Sequence, residues 1–291
     1  MKISAFPKCW IDEISSGKMD LHEWIDLSRQ LECDGLELYG SFLRSHEDTY
    51  LAEVRAHVAE CGMEIPMMCC SPDFTLPDEA QRMDEVRRQQ EMIRVSKKLG
   101  CRFVRVLSGQ KWPEVSIDDG VRMVVDCIRR CLPCAGEEGI VLAMENHYKD
   151  GAWHYPEFAQ KIAVFMAIIN QIDSPWFGVQ FDPSNTLVAD EDPLELLELV
   201  SARVVTMHAS DRYVLPGYDL REVLSFAGQR GYHPALKHGV IGRGLNNYPA
   251  IFAKLAESGF NGWVSVEDGM NGLEEMKESV DFLKEMRRQY F

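Results

Sequence analysis

Eight times along the 291 residues, a short apolar run gives way to a stretch of helical periodicity. The runs are Lys2–Phe6, Gly35–Tyr39, Ile65–Cys70, Phe103–Leu107, Ile140–Glu145, Phe177–Asp182, Val204–His208 and Trp263–Glu267. Each has the length and side-chain character of a buried strand. Helices are expected between them at about 21–32, 50–60, from near Asp78 to Gly100, 118–138 with a kink near Pro133, 156–172, 193–200, 220–230, 247–258 and 273–290. In the first of these, Leu21, Trp24, Ile25, Leu27 and Leu31 share one face, behind Asp20 and Glu23 placed as a capping box. Strands alternating with helices run parallel and are joined by right-handed crossovers. Eight such units close a (β/α)8 barrel. A doubly wound open sheet is the rival, weakened by the lack of a GxGxxG after any strand. The expected architecture is α/β: a single (β/α)8 TIM barrel over residues 1–291, with an extended loop, 211–244, after strand seven.

Hydrophobic content of 46% is ample for so large a core, and the formal net charge of −15 bears on partners. Phosphate backbones and anionic membranes call for a basic footprint, so neither nucleic acid nor membrane is an expected partner. The nine cysteines include one CxxC, Cys131 and Cys134, without the second pair that a zinc ribbon needs. Free thiols fit a cytoplasmic protein, and the opening MKISAFP is too short and insufficiently apolar for a signal peptide.

Four runs end in metal-binding side chains: Glu145 on the fifth, Asp182 on the sixth, His208 on the seventh and Glu267 on the eighth. One acid at a strand end is ordinarily a loop residue or a helix cap. Four on consecutive staves of a barrel converge on its C-terminal face, where such barrels place their sites. Three carboxylates and an imidazole suit a divalent cation, which removes the repulsion among them. The oxygen-rich set favours Mn2+ or Mg2+, with Zn2+ or Co2+ as alternatives. His147 is two residues from Glu145, so on an extended strand it shares that residue's side.

The segments DGLELYG at 34–40, MENH at 144–147, FDPSN at 181–185, MHASD at 207–211 and the long stretch 241–268 carry a resemblance. The chain resembles the xylose-isomerase-like barrel superfamily, in particular its sugar phosphate isomerase/epimerase group. The resemblance covers essentially the whole chain. It places Glu145, Asp182, His208 and Glu267 at the metal-ligand positions and implies Glu145 and Glu267 as the pair that moves protons. The implied activity is a metal-dependent isomerase or epimerase of a ketose or keto-sugar. Proton transfer alpha to a carbonyl would run through an enediolate. A metal-dependent lyase is the alternative, either a C-glycoside deglycosidase acting on 3-oxo-glycosides with a small partner subunit or a keto-inositol dehydratase. An apurinic endonuclease-like phosphodiesterase is disfavoured by Asn185, which stands where many members carry a histidine. Related barrels often form homo-oligomers.

His147 is then the candidate nitrogen base outside the ligand set. Further candidates for substrate contact are Glu37, Trp112, Asn185, His238 and Arg243. Each has a plainer reading: Glu37 as a loop cap, Trp112 as cover for the barrel rim, His238 and Arg243 as solvated loop residues. Arg105 is expected as a substrate clamp or an internal salt bridge, and Arg212 as support for His208 or as a substrate contact.

Overall fold

The computed structural model describes residues 1–226 and 231–291. Its strands are β1 (Lys2–Ala5), β2 (Gly35–Leu36), β3 (Leu38–Tyr39), β4 (Met67–Cys69), β5 (Phe103–Val106), β6 (Val141–Glu145), β7 (Phe177–Phe181), β8 (Val204–Ala209), β9 (Asp211–Val214), β10 (Leu236–Gly239) and β11 (Trp263–Val266). Nine of them form one parallel sheet in the order β2-β1-β11-β8-β7-β6-β5-β4-β3. β2 and β3 are two halves of one stave, interrupted at Glu37. The first half pairs with β1 and the second with β4, so this stave closes the ring. The result is an α/β TIM barrel of eight staves, wrapped by helices.

The strands are buried on both faces, as the continuous burial of Met67–Cys69, Phe103–Val106 and Phe177–Phe181 shows. Apolar runs satisfy that requirement better than alternating ones. The helices carry local stop and start signals. Asp20 and Glu23 form the expected capping box, and Ser116 caps the helix Ile117–Glu138 by accepting the Asp119 N–H. That helix runs on through Pro133 and ends at Gly139, whose φ of 67° suits glycine.

Two expected helices are shorter than their periodicity implied. The segment expected at 156–172 is helical only over Ile162–Ile169. Its first residues are drawn inward instead, because the Glu157 carboxylate accepts the backbone N–H and hydroxyl of Ser108. The helix expected at 220–230 spans Leu220–Leu224, and residues 227–230 lie outside the described residues. The excursion after strand seven is more ordered than a loop, since β9 and β10 pair antiparallel within it. Asp211 fastens its base by accepting N–H bonds from Gly242, Gly244 and Asn246. A further short helix, Pro183–Val188, follows β7 directly. No helix among the described residues is long and apolar enough to cross a membrane.

Candidate functional site

Parallel strands deliver their C-terminal ends to one rim of the barrel. Glu145 ends β6, Asp182 follows β7, His208 lies near the end of β8 and Glu267 follows β11. These four strands are adjacent in the ring. One donor atom from each residue lies within 4.8 Å of the other three, and all four residues are buried. The described residues thus contain a preassembled group of three carboxylates and an imidazole.

His208 is the hub. Its Nδ1 is 3.3 Å from Glu145 Oε1 and 3.6 Å from Glu267 Oε1. Its Nε2 is 2.7 Å from Glu37 Oε2. Glu37 occupies the interruption in stave two, where the chain changes partner and the side chain turns into the barrel. A carboxylate on the far nitrogen of an imidazole fixes the ring and its tautomer. Asp182 caps the helix Pro183–Val188 through the Asn185 N–H at 3.0 Å, and accepts the Ser210 hydroxyl at 2.9 Å. The Asn146 side chain ties the Glu145 and Asp182 strands together: its amide donates to the Asp182 carbonyl at 2.6 Å and its oxygen accepts the Asp182 N–H at 2.8 Å.

Two cations abut the acids. Arg105 donates from Nη1 to Glu145 Oε2 at 2.9 Å, from Nε to the Cys70 carbonyl and from Nη2 to Ser71 Oγ. The internal salt bridge, one of its two expected roles, is present. Lys8 Nζ donates to Glu267 Oε2 at 2.9 Å. Burial pushes the Glu145 carboxyl up, but His208 and Arg105 outweigh it and hold the group down at about 2. For Glu267, burial is likewise outweighed by Lys8 and His208, and the group stays ionised. Among the described residues, Asp182 has no Lys or Arg paired to it. Burial, then the charges of Glu267 and Glu145, raise it to about 6. Burial opposes the charged form of His208, yet Glu37, Glu267 and Glu145 together raise its pKa well above the ordinary value.

The other candidates divide by place. Asn185 joins the cluster: its side-chain amide donates to Glu145 Oε1 at 3.3 Å. His147 is fixed by Glu157, 3.2 Å from its Nδ1, and feels the Glu145 charge. Glu37 stands on His208 rather than at an open surface, being fully buried. Trp112 donates its indole N–H to Asp73 at 3.1 Å and packs edge-on against Tyr155. His238 donates from Nδ1 to Asp268 at 2.6 Å, and burial keeps its imidazole neutral. Arg243 is not brought to the cluster: its guanidinium pairs with Glu278 at 2.8 Å and is mostly exposed.

One residue here, Lys8, carries no legible sequence signal. Lys8 lies 259 positions from its partner. Arg212 is 4% exposed, with Nε and Nη1 lacking hydrogen-bond partners among the described residues and the guanidinium 5.2 Å over the Tyr232 ring. It sits near Lys8, Asp268 and His238, on the Glu267 side of the cluster. A cleft of about 210 Å3, lined in part by Tyr39, Ser41, Cys70, Ser71 and Gln89, shares Ser71 with the Arg105 hydrogen bonds.

A family described as the xylose isomerase-like TIM barrel matches residues 25–286. The 3-oxo-isoapionate decarboxylase of Pectobacterium atrosepticum is 26% identical over 160 residues, covering 55% of this chain and 49% of its own. The inosose dehydratase of Geobacillus kaustophilus is 26% identical over 230 residues, covering 74% and 70%. The chain therefore spans about half the length of the first relative and more of the second. Among solved structures, a D-tagatose 3-epimerase-like protein superposes with a TM-score of 0.76 at 19% identity, over 100% of this chain and 98% of that one. At that identity the likeness is one of fold.

Proposed function

The chain belongs to the xylose isomerase-like TIM-barrel family, and on that premise we propose that it is a divalent-metal-dependent isomerase or epimerase of a ketose or keto-sugar. The observation that carries this reading is the buried quartet Glu145, Asp182, His208 and Glu267. Its charge fits a cation. With His208 neutral, the acids Glu37, Glu145, Asp182 and Glu267 are ion-paired, among the described residues, with Lys8 and Arg105, and the deficit of these pairs equals one divalent ion. Burial comes first in raising Asp182 and opposes the charged form of His208, but the charges of Glu267 and Glu145 raise the proton affinity of both, and a proton answers that negative charge as a cation would.

Glu145, Asp182, His208 and Glu267 would hold the ion, with Mn2+ favoured by the oxygen-rich donor set over Mg2+, Co2+ or Zn2+. When bound, the cation supplies Lewis acidity toward the substrate's carbonyl and neighbouring hydroxyl oxygens. Glu145 and Glu267 are the proposed proton carriers. Arg105 and Lys8 keep both carboxylates ionised and oriented, so each is ready to accept a proton from the carbon next to the carbonyl. Return of the proton to the same carbon gives the epimer, and to its neighbour the isomer. His147, steadied by Glu157, is a third base, and Asn185 holds Glu145 in place. Arg212, whose Nε and Nη1 have no hydrogen-bond partner among the described residues, is suited to a substrate oxygen.

The second reading, a lyase, uses the same first proton abstraction and then expels a leaving group from the adjacent carbon. It is favoured by the likeness to inosose dehydratase over 74% of the chain. One experiment addresses both readings. Free ketoses, inososes and 3-oxo-glycosides are incubated with the Mn2+-loaded protein in heavy water and followed by NMR. Deuterium at a carbon next to the carbonyl supports proton transfer, and an accompanying enone selects the lyase. Full deuterium incorporation by Glu145→Gln or Glu267→Gln would sink the mechanism.

A further inference from the structure

Far from the strand ends, two helices bring four metal-ligating side chains together at the surface. His22 and Asp26 lie one turn apart in the helix Leu21–Ser28. His57 and Cys61 lie one turn apart where the helix Asp48–Glu60 ends. Residues spaced four apart share a helix face, and the turn is intact through Cys61, whose N–H bonds to the His57 carbonyl at 3.1 Å. The two pairs meet across the helix interface. His57 Nε2 is 3.0 Å from Asp26 Oδ1, and His57 Nδ1 is 2.7 Å from His22 Nδ1, the two rings being stacked. Donor atoms of Asp26, His57 and Cys61 lie within 4.8 Å of one another.

We propose that Asp26, His57 and Cys61 form a second metal site, separate from the barrel quartet, that takes a zinc-class divalent cation. The donor set decides the class. Thiolate, imidazole and carboxylate together suit Zn2+ or Co2+, whereas Mg2+ and Mn2+ prefer oxygen. Partial exposure of the three side chains leaves a coordination position for water. The charge closes, because a divalent ion meets one thiolate and one carboxylate. The protons balance as well. In the metal-free protein, His57 donates from Nε2 to Asp26 and accepts at Nδ1 from His22. On binding, Cys61 releases its proton to solvent. The His57 proton relocates to Nδ1, where it donates to His22, and His22 carries its own proton on Nε2. His22 is thus a positioning residue that fixes the ligating tautomer of His57. A bound ion clips these two outer helices together without touching the barrel rim.

The test is a Co2+ titration of the metal-free full-length protein, followed by ultraviolet absorption and bound-metal stoichiometry. The expected result is a sulfur-to-cobalt charge-transfer band that Zn2+ abolishes. Cys61→Ser and His57→Ala lose the band and one equivalent of metal, and His22→Ala weakens the site by about 10- to 100-fold. Glu145→Gln and Cys69→Ser keep the band, the latter because Cys69 lies beside Glu37 and His208 instead. A band or stoichiometry unchanged in Cys61→Ser overturns the proposal, as does the lack of any band in the wild type. Should the barrel quartet bind no metal, the wild type would still hold the equivalent that depends on Cys61, so the two readings fail separately.

Discussion

Replacing Arg105 by methionine removes the cation from Glu145 while keeping much of the side-chain volume. The pair is buried, with side-chain exposures of 5% and 0%, at 2.9 Å. Coulomb's law at an effective dielectric of about 20 gives a gross attraction of roughly 6 kcal/mol at that distance. Breaking a buried pair by deleting one partner typically costs about 3–5 kcal/mol. Glu145 keeps a second positive neighbour, since His208 Nδ1 remains 3.3 Å from its other oxygen. The loss is therefore expected at the lower end, about 3 kcal/mol, or a fall of roughly 5 °C in Tm for 291 residues. Differential scanning calorimetry and urea denaturation of the chelator-treated protein measure it without a contribution from bound metal. Arg130→Met is the control: its partner Asp126 is 54% exposed, and loss of a solvent-screened surface pair of this kind is expected to leave Tm essentially unchanged. If Arg105→Met costs less than about 1 kcal/mol, the account of a cation-stabilised Glu145 is wrong.

Glu37→Gln replaces the carboxylate on His208 Nε2 and is expected to lower metal affinity by about 10- to 100-fold, measured by competition with a chromogenic chelator; unchanged affinity would remove Glu37 from the site. Arg212→Met is expected to change stability by less than about 1 kcal/mol, because its Nε and Nη1 have no hydrogen bonds to lose, but to raise KM for a turned-over substrate at least about 10-fold. An unaltered KM would make the residue structural. Gly109→Ala is expected to cost at least about 2 kcal/mol: φ is 108°, and a Cβ there would collide with Asp73 Oδ1 and lie 2.7 Å from the Phe74 nitrogen. Denaturation tests it, and a neutral result would mean that the Asp73 turn yields freely.

The barrel and its four convergent strand ends were readable because each depends on local pattern. An apolar run of strand length closed by an acid or imidazole is visible in one window, and the count of eight supplies the ring. What escaped was set by tertiary contact. Nothing near Lys8 marks it as the partner of Glu267. Glu37 shows as a polar residue in LELYG, but that the stave breaks there, turning it onto His208, follows from closing the ring. The segment 156–161 has helical periodicity, and buried hydrogen bonds from Ser108 to Glu157 override it. The helix Pro183–Val188 did carry a signal, Asp182 followed by proline, which fits an N-cap and first turn. That signal was overshadowed by the strand ending at the same aspartate.

The chain divides its labour at Gly139. Every member of the quartet comes from the C-terminal half of the barrel, and each charged residue that steadies it, Lys8, Glu37 and Arg105, comes from the N-terminal half. Neither half-barrel contains a balanced site. A nascent chain thus holds Lys8, Glu37 and Arg105 first, and the quartet arrives afterward, with Glu267 the last of the four. The centre becomes electrically complete only when β11 docks beside β1, so on the proposed metal-dependent reading metal uptake would report ring closure.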